Sequence, residues 1–358
     1  MKYQRLKEIL DTIPKLRIAV AGDFFLDKWL EIDRSLDEAS VETGLTAYQV
    51  VAKRCYAGAA GTVLNNLAAL ETGTLYAVGF AGEDGEGYEM LRSLSNIGVN
   101  TSAFITSDKV MTPTYTKPVF LGNDGIEETH RLDHRNTKPT PLDVEQKIID
   151  ALWKTAPQVD ALIALDQLTH EGCGVLTHRV RQELAKLGEQ YPDLILYADS
   201  RAFIKHFKNM IIKCNNNEAL KLFCTSEDHA VSVEKNKELP NNSNLAETEK
   251  CLLRFAGFTS RPVFITCGQE GVMVQDQKGS PVLVPGVPLP PDTKIDIVGA
   301  GDACTSGIVT TLCCGGTPQE AAFVGNLVAS LTIQVIGTTG TATRKEVLSQ
   351  YEKYYGST

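Results

Sequence analysis

Asp296-Ile297-Val298-Gly299-Ala300-Gly301-Asp302 runs directly into Ala303-Cys304-Thr305-Ser306-Gly307, a segment that reads as a buried helix. Gly-Ala-Gly carries no bulky side chain, so the backbone of the turn can come close to a ligand. A helix starting near Gly301 aims its unpaired N–H groups and positive dipole end at whatever rests on that turn. Such an end suits a phosphate or a developing oxyanion. Asp302 then stands where it could take a proton from a hydroxyl, while Gly299, Ala300 and Gly301 hold the negative charge that moves. In outline this is a site for phosphoryl transfer. The plainer alternative is a Gly-rich joint between strand and helix, with Asp302 as a first-turn capping carboxylate.

Other residues could complete such a site. Asp23 and Asp27 follow the apolar run Arg17 to Gly22, at the edge where open α/β sheets take ligands. Short carboxylates there can accept hydrogen bonds from sugar hydroxyls, although either could instead cap a turn. In Ala57-Gly58-Ala59-Ala60-Gly61, small residues such as Gly58 let a substrate lie against the backbone. The amide of Asn65 or Asn66 can both donate to and accept from a hydroxyl. A tightly packed helix start explains the small residues equally well. Lys117 and Arg131, the latter in Arg131-Leu132-Asp133, would be natural partners for a phosphate on the substrate. The usual fate of such charges is a solvated strand face.

Stepping along the chain, short apolar runs alternate with amphipathic helical stretches. Arg17 to Gly22, Leu75 to Gly79, Ala161 to Leu165, Leu194 to Ala198, Met210 to Cys214 and Val263 to Thr266 read as buried strands. Helical patterns cover Leu64 to Leu70, Tyr88 to Ile97, Val144 to Trp153, Val175 to Leu187 and Phe323 to Leu331. Continuous apolar strands separated by helices imply an α/β fold whose mostly parallel sheet is covered on both faces. Residues 28–56 and 112–133 alternate polar and apolar and are expected to form a small second sheet, a lid over the site. Residues 227–244 read as a surface loop or weak helix. In Gly82-Glu83-Asp84-Gly85-Glu86-Gly87, Asp84 is expected to cap the next helix. The expected organisation is one domain over residues 1–358.

At 358 residues the chain can bury a large core, and 43% hydrophobic with 22% charged residues is ordinary for a soluble globular protein. A net charge of -9 argues against a general nucleic-acid binder. No apolar run is long enough to span a bilayer and the N-terminus lacks the apolar core of a signal peptide, so no membrane partner is expected. The nine scattered cysteines, without Cys-x-x-Cys, read as buried free thiols in a reducing cytoplasm.

Taken together, these stretches resemble the ribokinase-like (PfkB) carbohydrate kinases. Asp296 to Asp302 resembles that family's Asp-Thr-x-Gly-Ala-Gly-Asp signature, with Ile297 where Thr is usual. Gly58 to Asn66 resembles its Gly-Gly…Asn signature, with Ala59 in place of the second glycine and either Asn65 or Asn66 as the match. Gly22-Asp23-x-x-x-Asp27 also fits. The resemblance extends to Asn215-Asn216-Asn217-Glu218 and Thr266-Cys267-Gly268-Gln269-Glu270-Gly271. It implies that Asn215, Thr266, Gly268, Gly271 and Asn326 lie near ATP, and that Glu218 helps to place hydrated Mg²⁺. A lone carboxylate suits magnesium, which keeps several waters; a helix-start Glu is the alternative. The glycines at 268 and 271 do not form a dinucleotide fingerprint, and no Walker loop is present.

Within the family the lid spacing is most similar to kinases acting on heptose 7-phosphate, with Lys117, Arg131 and Asp133 on the substrate side. Such enzymes phosphorylate the anomeric hydroxyl. Fructose-phosphate, ribose, ketodeoxygluconate and nucleoside kinases remain alternatives, as does a non-catalytic sugar or nucleotide sensor. The sequence stops at Thr358, so any fused nucleotidyltransferase is expected to lie elsewhere. A homodimer through the lid and a monovalent cation are further implications of the resemblance.

Overall fold

The computed structural model describes residues 1–122, 125–223, 245–275 and 279–356. The expected loop at 227–244, and Cys224, lie outside the described residues. Strands in chain order are β1 (Arg17–Gly22), β2 (Phe24–Ile32), β3 (Glu38–Ala39), β4 (Thr46–Ala47), β5 (Val50–Ala59), β6 (Thr74–Val78), β7 (Phe80–Gly82) and β8 (Ile105–Ser107). They continue as β9 (Thr114–Gly122), β10 (Gly125–Glu128), β11 (Leu132–His134), β12 (Ala161–Asp166), β13 (Ile195–Ser200), β14 (Ile211–Asn215), β15 (Val263–Thr266), β16 (Gly271–Gln275) and β17 (Val282–Pro285).

The main sheet has the order β17-β16-β15-β14-β13-β12-β1-β6. All neighbours from β15 to β6 are parallel, while β16 and β17 add an antiparallel edge. The parallel strands are those expected from continuous apolar runs, because a sheet covered on both faces has no solvent side to alternate toward. All of Ala161–Asp166 is buried, for example. The β16–β17 hairpin was not expected from the sequence. Its strands are short, and Gly271 and Pro285 at their ends read as loop residues.

Helix boundaries follow local capping. Asp84 accepts a hydrogen bond from Gly87 N at 2.7 Å and caps the helix Gly85–Asn96, as expected. The helix expected from Val175 begins instead at His178, because Thr177 caps it through Val180 N while Val175 and Leu176 are buried in the preceding segment. Thr317 and Glu320 form a reciprocal capping box at the start of the helix Pro318–Thr332. That helix lies against Ala300–Cys313 at a glycine crossing: a Cβ on Gly307 would sit 2.9 Å from Gly325 Cα. The close approach locks both helices over one face of the main sheet. Cys214, Cys267 and Cys304 are buried thiols, behaving as small apolar side chains. Among the described residues no helix is long and apolar enough to cross a membrane.

The second sheet has the order β10-β9-β2-β5, with β11 also paired to β9. It starts at Phe24 rather than Lys28, since Phe24, Phe25 and Leu26 are buried where the chain leaves the main sheet. β2 pairs antiparallel with β5 and parallel with β9, so the strands from the two separate regions share one surface.

Where β5 turns into the helix Ala60–Ala69, Ala59 adopts φ 53° and ψ -114°. A side chain with a Cβ is strained there by about 1–3 kcal/mol, which accounts for the glycine usual at this place in the resembling signature. Ala59→Gly is expected to stabilise the fold by about 1 kcal/mol after the added freedom of the unfolded chain is subtracted. Thermal unfolding checks this, and an unchanged or lower midpoint would contradict it.

Candidate active site

The Gly-Ala-Gly turn is held from both sides. Asp296 accepts from Val298 N at 3.0 Å and from Gly337 N at 3.1 Å, fastening the approach to the turn against the segment after the helix Pro318–Thr332. Gly299 takes the left-handed conformation at φ 80°, and Ala300 N donates to Ile297 O at 3.1 Å. The helix Ala300–Cys313 begins at once, so the Gly301 and Asp302 amides lie in a first turn, where no earlier carbonyl of the helix can receive them. Ile297, the departure from the usual Thr, is 69% exposed and leaves the turn's backbone intact.

Asp302 sits in the first turn of that helix, half-buried. Burial pushes its carboxyl up to about 7. The nearby Lys213 ammonium opposes the rise, Asp199 adds to it and Arg201 opposes it. Lys213 and Asp199 face one another in register on β14 and β13, with Nζ 2.7 Å from Asp199 Oδ2. The same ammonium lies 3.5 Å from Gly301 O. A buried ion pair therefore stands under the turn that carries Asp302.

In front of the turn is an open pocket of about 470 Å³ between the two sheets. Gly299, Asp302 and Arg201 line its main-sheet end; Asp27, Lys117, Arg131 and Arg135 line the end on the second sheet. Lys117 Nζ is 3.3 Å from Asp27 Oδ1 and 4.6 Å from the centre of the Trp29 ring. Arg131 forks onto Asp133 at 2.7 and 2.9 Å, and Arg135 reaches the same carboxylate at 2.7 Å. The Arg131 guanidinium also lies 4.3 Å from the centre of the Tyr115 ring, which stacks on Phe25 at 4.9 Å. Asp133 is held well below the usual carboxylate range by these arginines, Arg131 first. Gly58 leaves room for Asp27: a Cβ there would fall 2.3 Å from Asp27 Oδ2 and push that carboxylate aside.

Several residues expected at the site lie elsewhere in this arrangement. Asp23 is buried behind the pocket, and its carboxylate accepts from Gln167 N, Leu168 N and Val175 N at 2.9, 3.2 and 2.8 Å. It fastens the segment after β12. Burial still holds its carboxyl above the usual range despite those three amides. Asn66 is fully buried and donates to Thr62 O within its own helix, while Asn65 lines a separate pocket beside Lys53 and Glu89. Of that region, Ala59 and Thr62 face the main pocket.

Asn215 and Glu218 form a reciprocal cap: Glu218 N donates to Asn215 Oδ1 and Asn215 N to Glu218 Oε2, each at 2.8 Å. Burial, with Asp199 nearby, raises the Glu218 carboxyl. Thr266 pairs in register with Asn215 at the carboxyl edge of the sheet. Gly268 and Gly271 both have positive φ and form the turn from β15 into β16. Asn326 donates to Val284 O and Pro285 O at 3.0 and 2.9 Å, tying its helix to β17.

Lys213, Arg201 and Arg135 were missed in the sequence. Lys213 had a legible signal, a lone cation inside the apolar run Met210 to Cys214. Arg201 follows β13 immediately, and only the folded sheet shows that it faces Asp302.

The glycine turn that carries Asp302 thus faces the cations of the second sheet across one pocket. The pfkB carbohydrate kinase family model matches residues 28–345, and the chain belongs to that family of kinases. It is 27% identical over 343 residues to the bifunctional protein HldE of Wolinella succinogenes and 26% identical over 354 residues to that of Geotalea uraniireducens. Those matches cover 95% and 98% of this chain but only 65% and 66% of the relatives' length.

The fold is ribokinase-like. The Arabidopsis thaliana ribokinase complexed with ribose and ATP superposes with a TM-score of 0.61 at 18% identity, covering 94% of this chain and 98% of that one. Phosphofructokinase-2 from Escherichia coli, solved with substrates and products, gives 0.63 at 15% identity, covering 95% and 99%.

The raised Asp302 carboxyl has a consequence for stability. Its folded value of about 7 exceeds the ordinary 3.8 of the unfolded chain, so the folded state holds this proton more tightly. That contribution is complete below the unfolded value and is lost as pH rises through the folded one. Asp302→Asn, which cannot ionise, should therefore be more stable than the parent at pH 8, by up to about 4 kcal/mol at about 1.4 kcal/mol per pKa unit. The advantage should shrink toward pH 4. Urea unfolding at the two pH values measures it, and a difference independent of pH would contradict the assignment.

Proposed function

We propose that this kinase transfers the γ-phosphoryl group of Mg-ATP to a hydroxyl of an already phosphorylated sugar, with the anomeric hydroxyl of a D-glycero-heptose 7-phosphate as first choice. The observation that carries this reading is the distribution of charge in one pocket. A proton acceptor, Asp302, stands at one end, and Lys117, Arg131 and Arg135 stand at the other. A sugar between them would offer its reacting hydroxyl to Asp302 and its existing phosphate to the cations. The fold shared with a ribokinase solved with ribose and ATP agrees with such a pair of substrates.

In this mechanism Asp302 accepts the proton of the attacking hydroxyl. A carboxyl poised near neutrality is well placed to do so, because about half of it is ionised near pH 7 and it remains basic enough to hold a proton. Ala300 N is already given to Ile297 O, so the Gly301 and Asp302 amides at the head of the helix stabilise negative charge on the transferring group. The nucleotide phosphates would lie along the carboxyl ends of β14 and β15, near Asn215, Thr266, Gly268 and Gly271, with Asn326 supporting the adjoining edge.

Among the described residues no group of three or more His, Cys, Asp or Glu side chains is arranged as a metal cage. The chemistry fits magnesium brought in by phosphates and water, with Glu218 as the nearby carboxylate; bound there, it would neutralise phosphate charge. On the second sheet, a substrate phosphate would take over contacts that Asp27 and Asp133 now hold, and the sheet acts as a lid that excludes water. Exposed Val41, Leu45, Tyr48 and Val50 on this sheet and its connections support the further reading of a lid-mediated homodimer.

ADP release with Mg-ATP across a panel of sugars and sugar phosphates, heptose 7-phosphate included, tests the function. Asp302→Asn should lower turnover roughly 10²–10⁴-fold with the fold intact. Near-normal turnover would remove Asp302 from the base role. Lys117→Met and Arg131→Met should each raise KM for the phosphorylated substrate about 10–100-fold, the loss of one charged hydrogen bond or two. Unphosphorylated analogues should be affected little. Equal effects on both substrate types would show that these cations do not read a phosphate.

A further inference from the structure

The mechanism above leaves a buried cation unused. Lys213 is 5% exposed and occupies the middle of β14, between Ile212 and Cys214, where an apolar side chain would be ordinary. Its ammonium has two partners, Asp199 Oδ2 at 2.7 Å and Gly301 O at 3.5 Å. The second contact is the informative one. Gly301 precedes Asp302, and a Cβ on Gly301 would lie 3.0 Å from Lys213 Nζ, so the glycine leaves room for the lysine as well as for a ligand. A cation beside a helix N-terminus is unfavourable to the helix dipole, so the arrangement is not one that helix stability selects. Nor do β13 and β14 need an ion pair to align, since they are already hydrogen-bonded in parallel register. Buried ion pairs add little net stability compared with apolar side chains of similar size.

We propose that Lys213 is a positioning residue for phosphoryl transfer: with Asp199 as its anchor, it holds the Gly301 carbonyl, fixes the first turn of the helix and keeps the Asp302 carboxylate available as a base. The inference rests on the reading of Asp302 as that base. The charges facing Asp302 are Lys213 from β14, Asp199 from β13 and Arg201 just beyond it. Asp296, Asp27, Glu128, Lys117, Arg131 and Arg135 share the pocket. From the helix Ala60–Ala69 and the 337–339 segment, the groups nearest the turn are the uncharged Thr62 and Thr339. Loss of Lys213 alone leaves Asp199 facing Asp302 with its nearest compensating cation gone. Loss of both removes the repulsion together with the attraction.

The experiment is a pH profile of kcat for the parent, Lys213→Met, Lys213→Arg and the double variant Asp199→Asn/Lys213→Met, with Asp302→Asn in parallel. Lys213→Met is expected to move the acidic limb upward by about one pH unit or more, the effect of losing a close opposite charge. At pH 7 its kcat should fall about 10-fold. Lys213→Arg should recover part of the loss, and the double variant should bring the limb back toward the parent. If Lys213→Met does not fold, the double variant still decides, because both unpaired charges are gone: a kcat at its pH optimum equal to the parent's would overturn the positioning role. An unshifted limb in folded Lys213→Met, or an effect confined to KM for ATP, would also overturn it. Retained turnover in Asp302→Asn would instead sink the reading of the base, so the two failures are told apart.

Discussion

Burial of Asp302 at the start of a helix is the constraint around which the rest of the molecule is arranged. A carboxylate in water ionises too readily to be a useful base at neutral pH, and one sealed among carbon atoms would not ionise at all. Here burial raises the carboxyl to about 7, and Lys213 and Arg201 keep the rise from going further. That balance requires three separate pieces of chain to meet. The glycine turn carries Asp302, β14 carries Lys213, and β13 with the residue following it carries Asp199 and Arg201. Parallel strands make the meeting possible, because all their carboxyl ends open on the same edge, where α/β sheets form their clefts.

The second sheet supplies the opposite half of the pocket in a different way. Its cations are not isolated. Lys117 is neutralised by Asp27, and Arg131 and Arg135 share Asp133, while Trp29 and Tyr115 provide faces against which the charges rest. Such pairs are held in shape at little electrostatic cost and can exchange a carboxylate for a phosphate, which offers an arginine fork similar geometry. The two ends of the pocket thus differ in kind: a carboxyl raised by burial at one, and several cations paired with carboxylates at the other.

Much of the remaining polar apparatus also holds backbone. Asp23 gathers three backbone amides, Asn326 ties a helix to β17, and Asn215 with Glu218 caps a helix start. Each satisfies backbone groups that would otherwise be buried without partners, and each thereby fixes a loop or helix end at the rim of the cleft. The strained Ala59 belongs to the same rim and faces the pocket directly.

The sequence by itself determined the parallel strands and the glycine turn with its acid, because both are local. Apolar runs of strand length identify a sheet covered on both faces, and a Gly-Ala-Gly turn entering an apolar segment marks the start of a buried helix. It also marked the two stretches that build the second sheet through their polar-apolar alternation, though not that β2 and β9 would lie side by side in parallel. Only the tertiary structure decided which polar residues face the pocket. Neighbouring Asn65 and Asn66 diverge, one onto a separate pocket and one into the core, since adjacent helix positions point in different directions. Lys213 and Asp302 lie far apart in sequence, and no local pattern pairs them. Their meeting depends on strand order and register, and those are settled by packing the whole sheet against its helices.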